Sequence, residues 1–196
     1  MGHISGADPS VQAFCGWSSI TGQPGGQGEL LRHFAHIDLN TSSYYASAML
    51  QAIIEREKTG KGMKVDVTML GAALNLQTSR VAEFFATGKT PPRLGSATVT
   101  TAPHQAFLCQ EGQWIAVGVV NDIQWRSLCK AIEAPALSSN AKFATNPLRV
   151  ENREELIPTL EKIFLTKPVR WWEIKLDENN VPNSRFLDFN RLRDHP

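Results

Sequence analysis

The sequence predicts a mixed α/β chain in two parts, and three observations carry that prediction. Apolar residues recur at helical spacing over residues 38–58 and again over 68–87. A proline- and threonine-rich stretch, "KTPPRLGSATVTTAPH" from Lys89 to His104, separates these helices from the rest. Beyond it two β-rich runs flank a short turn, and helical patterns then resume.

The totals set the class. A chain of 196 residues, 42% hydrophobic and 20% charged, suits a globular protein with one core or two small ones. A net charge of +1 gives no overall basic character for nucleic acid. No apolar run approaches the roughly 20 residues that span a bilayer, so no membrane partner is expected. "MGHISGADPS" lacks a charged stretch followed by an apolar one, so no signal peptide is expected either. Cys15, Cys109 and Cys129 are odd in number and without CxxC spacing. They predict a reducing, cytoplasmic setting with three buried thiols. With five histidines they make no metal-ligand pattern, and no metal is predicted.

Along the chain, residues 1–35 read as loop, with four glycines and a proline in "TGQPGGQGE". "DLNTSSYYASAMLQAIIEREK" then offers Asp38, Asn40 and Thr41 as N-caps, and Tyr45, Ala48, Met49, Ala52 and Ile53 as one helical face. Gly60 and Gly62 stop that helix. "MKVDV" reads as a short strand, and "TMLGAALNLQTSRVAEFFATG" as a second long helix ending at Gly88. "QAFLC" and "WIAVGV" around "QEGQ" predict a β-hairpin. "NDIQWRSLCKAIEA", "ENREELIPTLEKIFLT" and "PVRWWEIKLDEN" predict three helices, with Pro168 in the first turn of the third. Of Trp171 and Trp172, one is expected to pack against the core.

"TGKGMK" invites a phosphate-loop reading, but it follows a helix and precedes a strand. A Walker loop requires the reverse order and a longer spacing. Its glycines instead supply the positive φ of a helix stop.

The order of these segments is similar to that of the class III CoA-transferases (the CaiB/BaiF family), which also include 2-methylacyl-CoA racemases. "REKTGKGMKVDVTML" resembles the family's TG-basic-G-x-x-VDVSML-like run. "DPSVQAFCGWSSITGQPGGQGE" looks like its D-x-x-x-Q-A-x-S-G segment and following glycine loop. "PRLGS", "APHQAF", "NDIQWRSLC" and "NNVPNSRF" resemble its small-domain landmarks in order. The likeness implies a middle fragment: long helices and a short strand of a large Rossmann-like domain, plus a small α+β domain. Residues 1–69 would belong to the large domain, 70–88 to a linker helix, 89–183 to the small domain and 184–196 to a returning linker. Most coenzyme A contacts would lie in an N-terminal part outside this sequence. The complete protein would be an interlocked homodimer.

The resemblance also implies a chemistry. Asp38 matches the family's catalytic aspartate, which attacks an acyl-CoA thioester and carries the coenzyme to a carboxylic acid acceptor through covalent aspartyl intermediates. The coenzyme A thioester is then a substrate, and no covalently bound cofactor is expected. Asp38 also has a plain structural reading, since aspartate is a favoured N-cap. His104 falls near the acyl site in relatives. Ala7 stands where the racemases carry the histidine of their His–Asp pair, which favours transferase over racemase. His36 is the nearest substitute base, and a loop histidine of this kind is read as structural. "SATVTTAPH" occupies the place of the glycine loop of formyl-CoA transferases, so formate or oxalate specificity is not implied. A non-catalytic remnant that keeps only a dimerisation surface is the alternative.

Overall fold

The computed structural model describes residues 6–193. Its chain contacts divide it into two units, Met1–Gly95 and Ser96–Pro196.

The first unit is helical: α1 (Asp8–Phe14), α2 (Trp17–Ile20), α3 (His36–Thr59), α4 (Met69–Leu76) and α5 (Thr78–Thr87). α3 begins two residues before the predicted caps. Its N-cap is Ala35, which has no capping side chain. The cap comes instead from α1, as described below. Gly60 ends α3 at φ 71°, its N–H donating to the Arg56 carbonyl at 2.8 Å. The "TGKG" segment is therefore a helix stop.

Residues 63–67, expected as a strand, lie outside any helix or sheet. A strand is held by ladder bonds to a neighbour, and no described residue supplies one. The predicted second long helix is two helices that meet at Gln77. Thr68 caps α4 by accepting from the Gly71 N–H. The Gln77 amide is used sideways, donating to Ala73 O, Cys15 O and Cys15 Sγ. α3 packs against α4, and α1 against both.

The glycine loop is ordered by its own backbone. Glu29 N–H donates to Ser18 O and Thr21 O at 3.1 and 3.0 Å. Gly28 has φ 94°, and a Cβ there would meet Ser18 O at 2.3 Å. Only glycine fits that approach.

The second unit begins with the predicted hairpin, β1 (His104–Leu108) and β2 (Trp114–Gly118), paired antiparallel with Ala106 opposite Ala116. Glu111 and Gly112 turn at φ 66° and 73°, the positive signs that match hairpin twist. Then come α6 (Asp122–Ala131), α7 (Pro135–Ser139), α8 (Asn146–Glu151), α9 (Arg153–Phe164) and α10 (Val169–Glu178). A third strand, β3 (Asn183–Arg185), pairs with β2 to give the order β1-β2-β3, and α11 (Phe189–Arg193) follows. Asn121 caps α6 through Gln124 N–H, as its sequence predicts. Pro168 is the N-cap of α10 rather than a first-turn residue.

Phe107, Ile115 and Val117 are buried on one face of the sheet, and α9 and α10 pack against it. Phe107 stacks on Phe164 at 4.6 Å. Trp172 is buried and donates Nε1–H to Phe164 O at 2.8 Å, whereas Trp171 stays half-buried. Arg149 is wholly buried, with a hydrogen bond from each of its three guanidinium nitrogens. It donates to Ala102 O, Phe143 O and Asp122 Oδ1 at 2.7, 3.0 and 2.8 Å. With Asn146 and Arg153 it ties down the "SATVTTAPH" loop.

Candidate active site

Asp38 is the third residue of α3, exposed, in the first turn of a 24-residue helix. It lines a cleft of about 400 Å³ with Ala7, Asp8, Leu31, Arg32 and Phe34, all of the first unit. No side-chain hydrogen bond or ion pair engages its carboxylate among the described residues. The first N–H groups of a helix have no intrahelical acceptor, and their positive dipole end favours an anion. The Asp38 carboxylate is thus exposed at the positive end of α3.

Two buried polar side chains of α1 fix this segment. Asp8 and Gln12 are 6% and 1% exposed and lie one helical turn apart. The Asp8 carboxylate accepts from Gln12 Nε2 at 2.5 Å and from the Ile37 backbone N–H at 2.7 Å, capping α3 from a distant element. The Gln12 amide pairs with both backbone groups of Leu31, donating to its carbonyl at 3.0 Å and accepting from its N–H at 2.9 Å. Residues 31–37 are thus clamped at both ends. These charge-assisted and paired bonds are of the stronger kind.

The sequence pointed to Asp38 but not to this clamp. The signal was present as two polar residues at i and i+4, on a helix that must bury one face. Arg32 went unnoticed because a lone arginine in a polar loop carries no pattern.

His36 is the first residue of α3 rather than a loop residue. Its ring stacks on Phe34 at 3.9 Å and lies 6.3 Å from Trp17, and its Nδ1 is buried without a partner. It is an element of an aromatic cluster.

His104 belongs to the other unit and opens β1. It lines a groove of about 350 Å³ on the sheet, with Ser96, Ala116, Gly118, Asn183 and Phe186. Its Nδ1 is buried and unpartnered.

The cysteines are all free: Cys15 is half-buried, and Cys109 and Cys129 are buried. Burial pushes the Cys109 thiol up to about 11 and the Cys129 thiol up to about 12. Among the described residues no His, Cys, Asp and Glu group could hold a metal ion, and no helix is long and apolar enough to cross a membrane.

Residues 2–196 match the family model for CoA-transferase family III. The chain is 33% identical over 178 residues to a succinyl-CoA:glutarate CoA-transferase of Homo sapiens, covering 91% of this chain and 40% of that protein. It is 30% identical over 188 residues to an acetyl-CoA:oxalate CoA-transferase of Acetobacter aceti, covering 96% of this chain and 48% of that one. A solved CaiB/BaiF family protein from Brucella suis superposes with TM-score 0.78 at 26% identity, over 98% of this chain and 50% of its own. A hypothetical protein from Mycobacterium tuberculosis superposes with TM-score 0.80 at 26% identity, over 100% of this chain and 51% of its own. The chain thus spans about half the length, or less, of the relatives it matches.

Proposed function

The chain belongs to CoA-transferase family III, and on that premise we propose that it carries the nucleophile of a transferase moving coenzyme A between an acyl-CoA and a carboxylic acid. Asp38 is that nucleophile. The observation that carries the reading is its exposed, unpartnered carboxylate at the start of a long helix, on a segment clamped by Asp8 and Gln12.

In the proposed cycle a carboxylate oxygen of Asp38 bonds to the thioester carbonyl carbon, the C–S bond breaks and coenzyme A thiolate leaves. The thiolate attacks the aspartyl carbonyl of the resulting anhydride. This frees the donor acid and leaves an aspartyl-CoA thioester. The acceptor carboxylate attacks that thioester and displaces the thiolate again. Attack of the thiolate on the acceptor's acyl carbon then restores the Asp38 carboxylate. Covalent catalysis divides one difficult exchange into easier acyl transfers. The helix N-terminus favours the anionic nucleophile and the oxyanion at each step.

The complete protein, in this reading, has the large-domain, linker and small-domain divisions expected above and works as a homodimer. Most coenzyme A contacts come from residues outside this sequence. His104 is an acyl-side contact. The racemase alternative has less support. The residue beside Asp8 is Ala7 where the racemases carry a histidine, and both Asp8 oxygens hold structural hydrogen bonds, to Gln12 and to the start of α3.

The test is trapping. The purified chain is mixed with an acyl-CoA and then treated with hydroxylamine, and peptide mass spectrometry locates the adduct. Modification confined to Asp38 and lost in Asp38→Ala supports the reading, whereas equal modification of the variant defeats it.

A second reading is favoured by one observation. Leu39, Leu50 and Ile54 of α3 are more than half exposed. A non-catalytic interaction module would present such a surface. Coenzyme A binding to this chain at micromolar affinity, measured by calorimetry, speaks against that module.

A further inference from the structure

We propose that the segment from Met63 to Val67 is an interaction surface for a second copy of this chain, the two copies pairing as antiparallel strands about a two-fold axis at Val65.

The chain runs without a turn or bend from Lys61 to Thr68, between the end of α3 and the start of α4. Among the described residues, no backbone N–H or carbonyl of residues 62–67 makes a hydrogen bond. The side chains alternate as on a strand with one covered face. Val65 and Val67 are half-buried, whereas the Lys64 and Asp66 side chains are 83% and 70% exposed. A Cβ at Gly60 or Gly62 would meet nothing within 4 Å, so the approach to the segment is open. A row of uncommitted donors and acceptors on an extended backbone is a template for another strand.

Charge identifies the strand that fits. Antiparallel pairing centred on Val65 sets Val65 against its own copy, Met63 against Val67 of the other copy, and Lys64 against Asp66 of the other copy. Met63, Val65 and Val67 then make one apolar strip across both strands. Lys64 and Asp66 form an ion pair at 2.9 Å within one chain. In the paired strands each of these charges therefore has an opposite charge both beside it and across the ladder, the favourable cross-strand arrangement. Other registers lose this. A slip of one residue turns the valines of one copy onto the charged face of the other. A slip of two sets Lys64 against Lys64, or Asp66 against Asp66. The segment is thus complementary to itself in a single register.

Charge exchange on the full chain tests this, read by sedimentation velocity across the micromolar range. The parent is expected to dimerise as concentration rises. Lys64→Asp leaves two acids on the pairing face and Asp66→Lys leaves two bases, so either variant alone faces its own copy with like charges. Each is expected to dimerise at least about tenfold more weakly than the parent. Both side chains are exposed, so both variants are expected to keep the parent circular dichroism. Mixed in equal amounts, the two variants again set acid against base and are expected to form a mixed dimer of parent affinity. The double variant Lys64→Asp/Asp66→Lys, which exchanges the charges in place, is expected to dimerise like the parent. Hydrogen exchange at residues 63–67 is expected to slow as the parent is concentrated, because ladder bonds protect those amides. A parent that stays monomeric overturns the proposal. So do single variants that associate as the parent does, an equal mixture that stays monomeric, or exchange at 63–67 that ignores concentration. Association abolished by Leu50→Lys and kept in both charge variants also overturns it, since the face of α3 would then hold the copies together.

Discussion

The two units are built on different physics. Residues 96–193 enclose an apolar core in which Phe107, Ile115, Trp125, Leu156, Phe164 and Trp172 are almost completely buried. In residues 6–95 the buried apolar side chains are Ile37, Ala72, Ala73 and Pro91, and the organising contacts are polar: Asp8, Gln12 and Gln77. α3 runs for 24 residues and buries Ile37 alone. Burial of apolar area is the main favourable term in folding. The second unit therefore has the means to be stable by itself. The first is held mainly by hydrogen bonds and leaves apolar side chains of α3 exposed.

The sharpest test of that contrast is the core of the second unit. Phe164→Ala removes the ring stacked on Phe107 and is expected to lower stability by about 3–5 kcal/mol. Arg149→Ala strands the carbonyls of Ala102 and Phe143 in the interior, with a loss of similar size. Denaturant titration followed by tryptophan fluorescence measures both. A loss below about 1 kcal/mol for either variant means the core is looser than its packing implies.

Asp8→Ala comes next. It deletes the distant cap of α3 and leaves the Ile37 N–H without its acceptor, at a cost of about 1–3 kcal/mol local to the first unit. Hydrogen exchange should speed up at the start of α3 and not in β1 or β2. Faster exchange throughout both units would mean that the units are not separately stabilised.

The two units are also expected to answer differently to alkali. The thiols of Cys109 and Cys129 are raised from about 9 to about 11 and about 12 by burial. The folded chain therefore keeps protons that the unfolded chain releases. Their contribution is fully present below pH 9 and declines as pH rises through about 11 and 12. Chemical denaturation across that range should show the second unit weakening steadily. Iodoacetamide at pH 8 should leave both thiols unmodified until that unit opens.

The unequal physics also explains what the sequence disclosed. Elements that are locally coded were legible. The hairpin at 104–118, the Asn121 cap and the glycine stop at Gly60 each need only a turn residue or a cap beside a periodic run. The family was legible through the order of its motifs, and Asp38 is the residue that order singles out. Features coded at a distance were not. The true cap of α3 is Asp8, 29 residues away, so Asp38, Asn40 and Thr41 were local candidates for a post already filled. "MKVDV" has strand composition, but composition cannot supply the neighbour that makes a ladder. The break at Gln77 depends on an amide satisfied by Cys15, which no helical periodicity encodes. β3 is three residues long and was hidden by its Asn–Ser–Arg content.

The smallest expected effect tests the contrast from the other side. Ile53→Ala removes an apolar side chain as large as many in the core, from a position 46% exposed on α3. Truncating a buried isoleucine costs about 2–5 kcal/mol, whereas an exposed surface change stays within about 0.5 kcal/mol. If the α3 surface is uncovered, Ile53→Ala leaves the unfolding midpoint of the isolated chain in place. If the surface is covered by a second copy in solution, the same variant lowers stability by more than 1 kcal/mol, and the loss shrinks on dilution because association contributes by mass action. Sedimentation velocity on Leu50→Lys checks the second branch separately. A lysine in a covered apolar patch shifts an associating chain toward monomer, and on an uncovered patch it changes nothing.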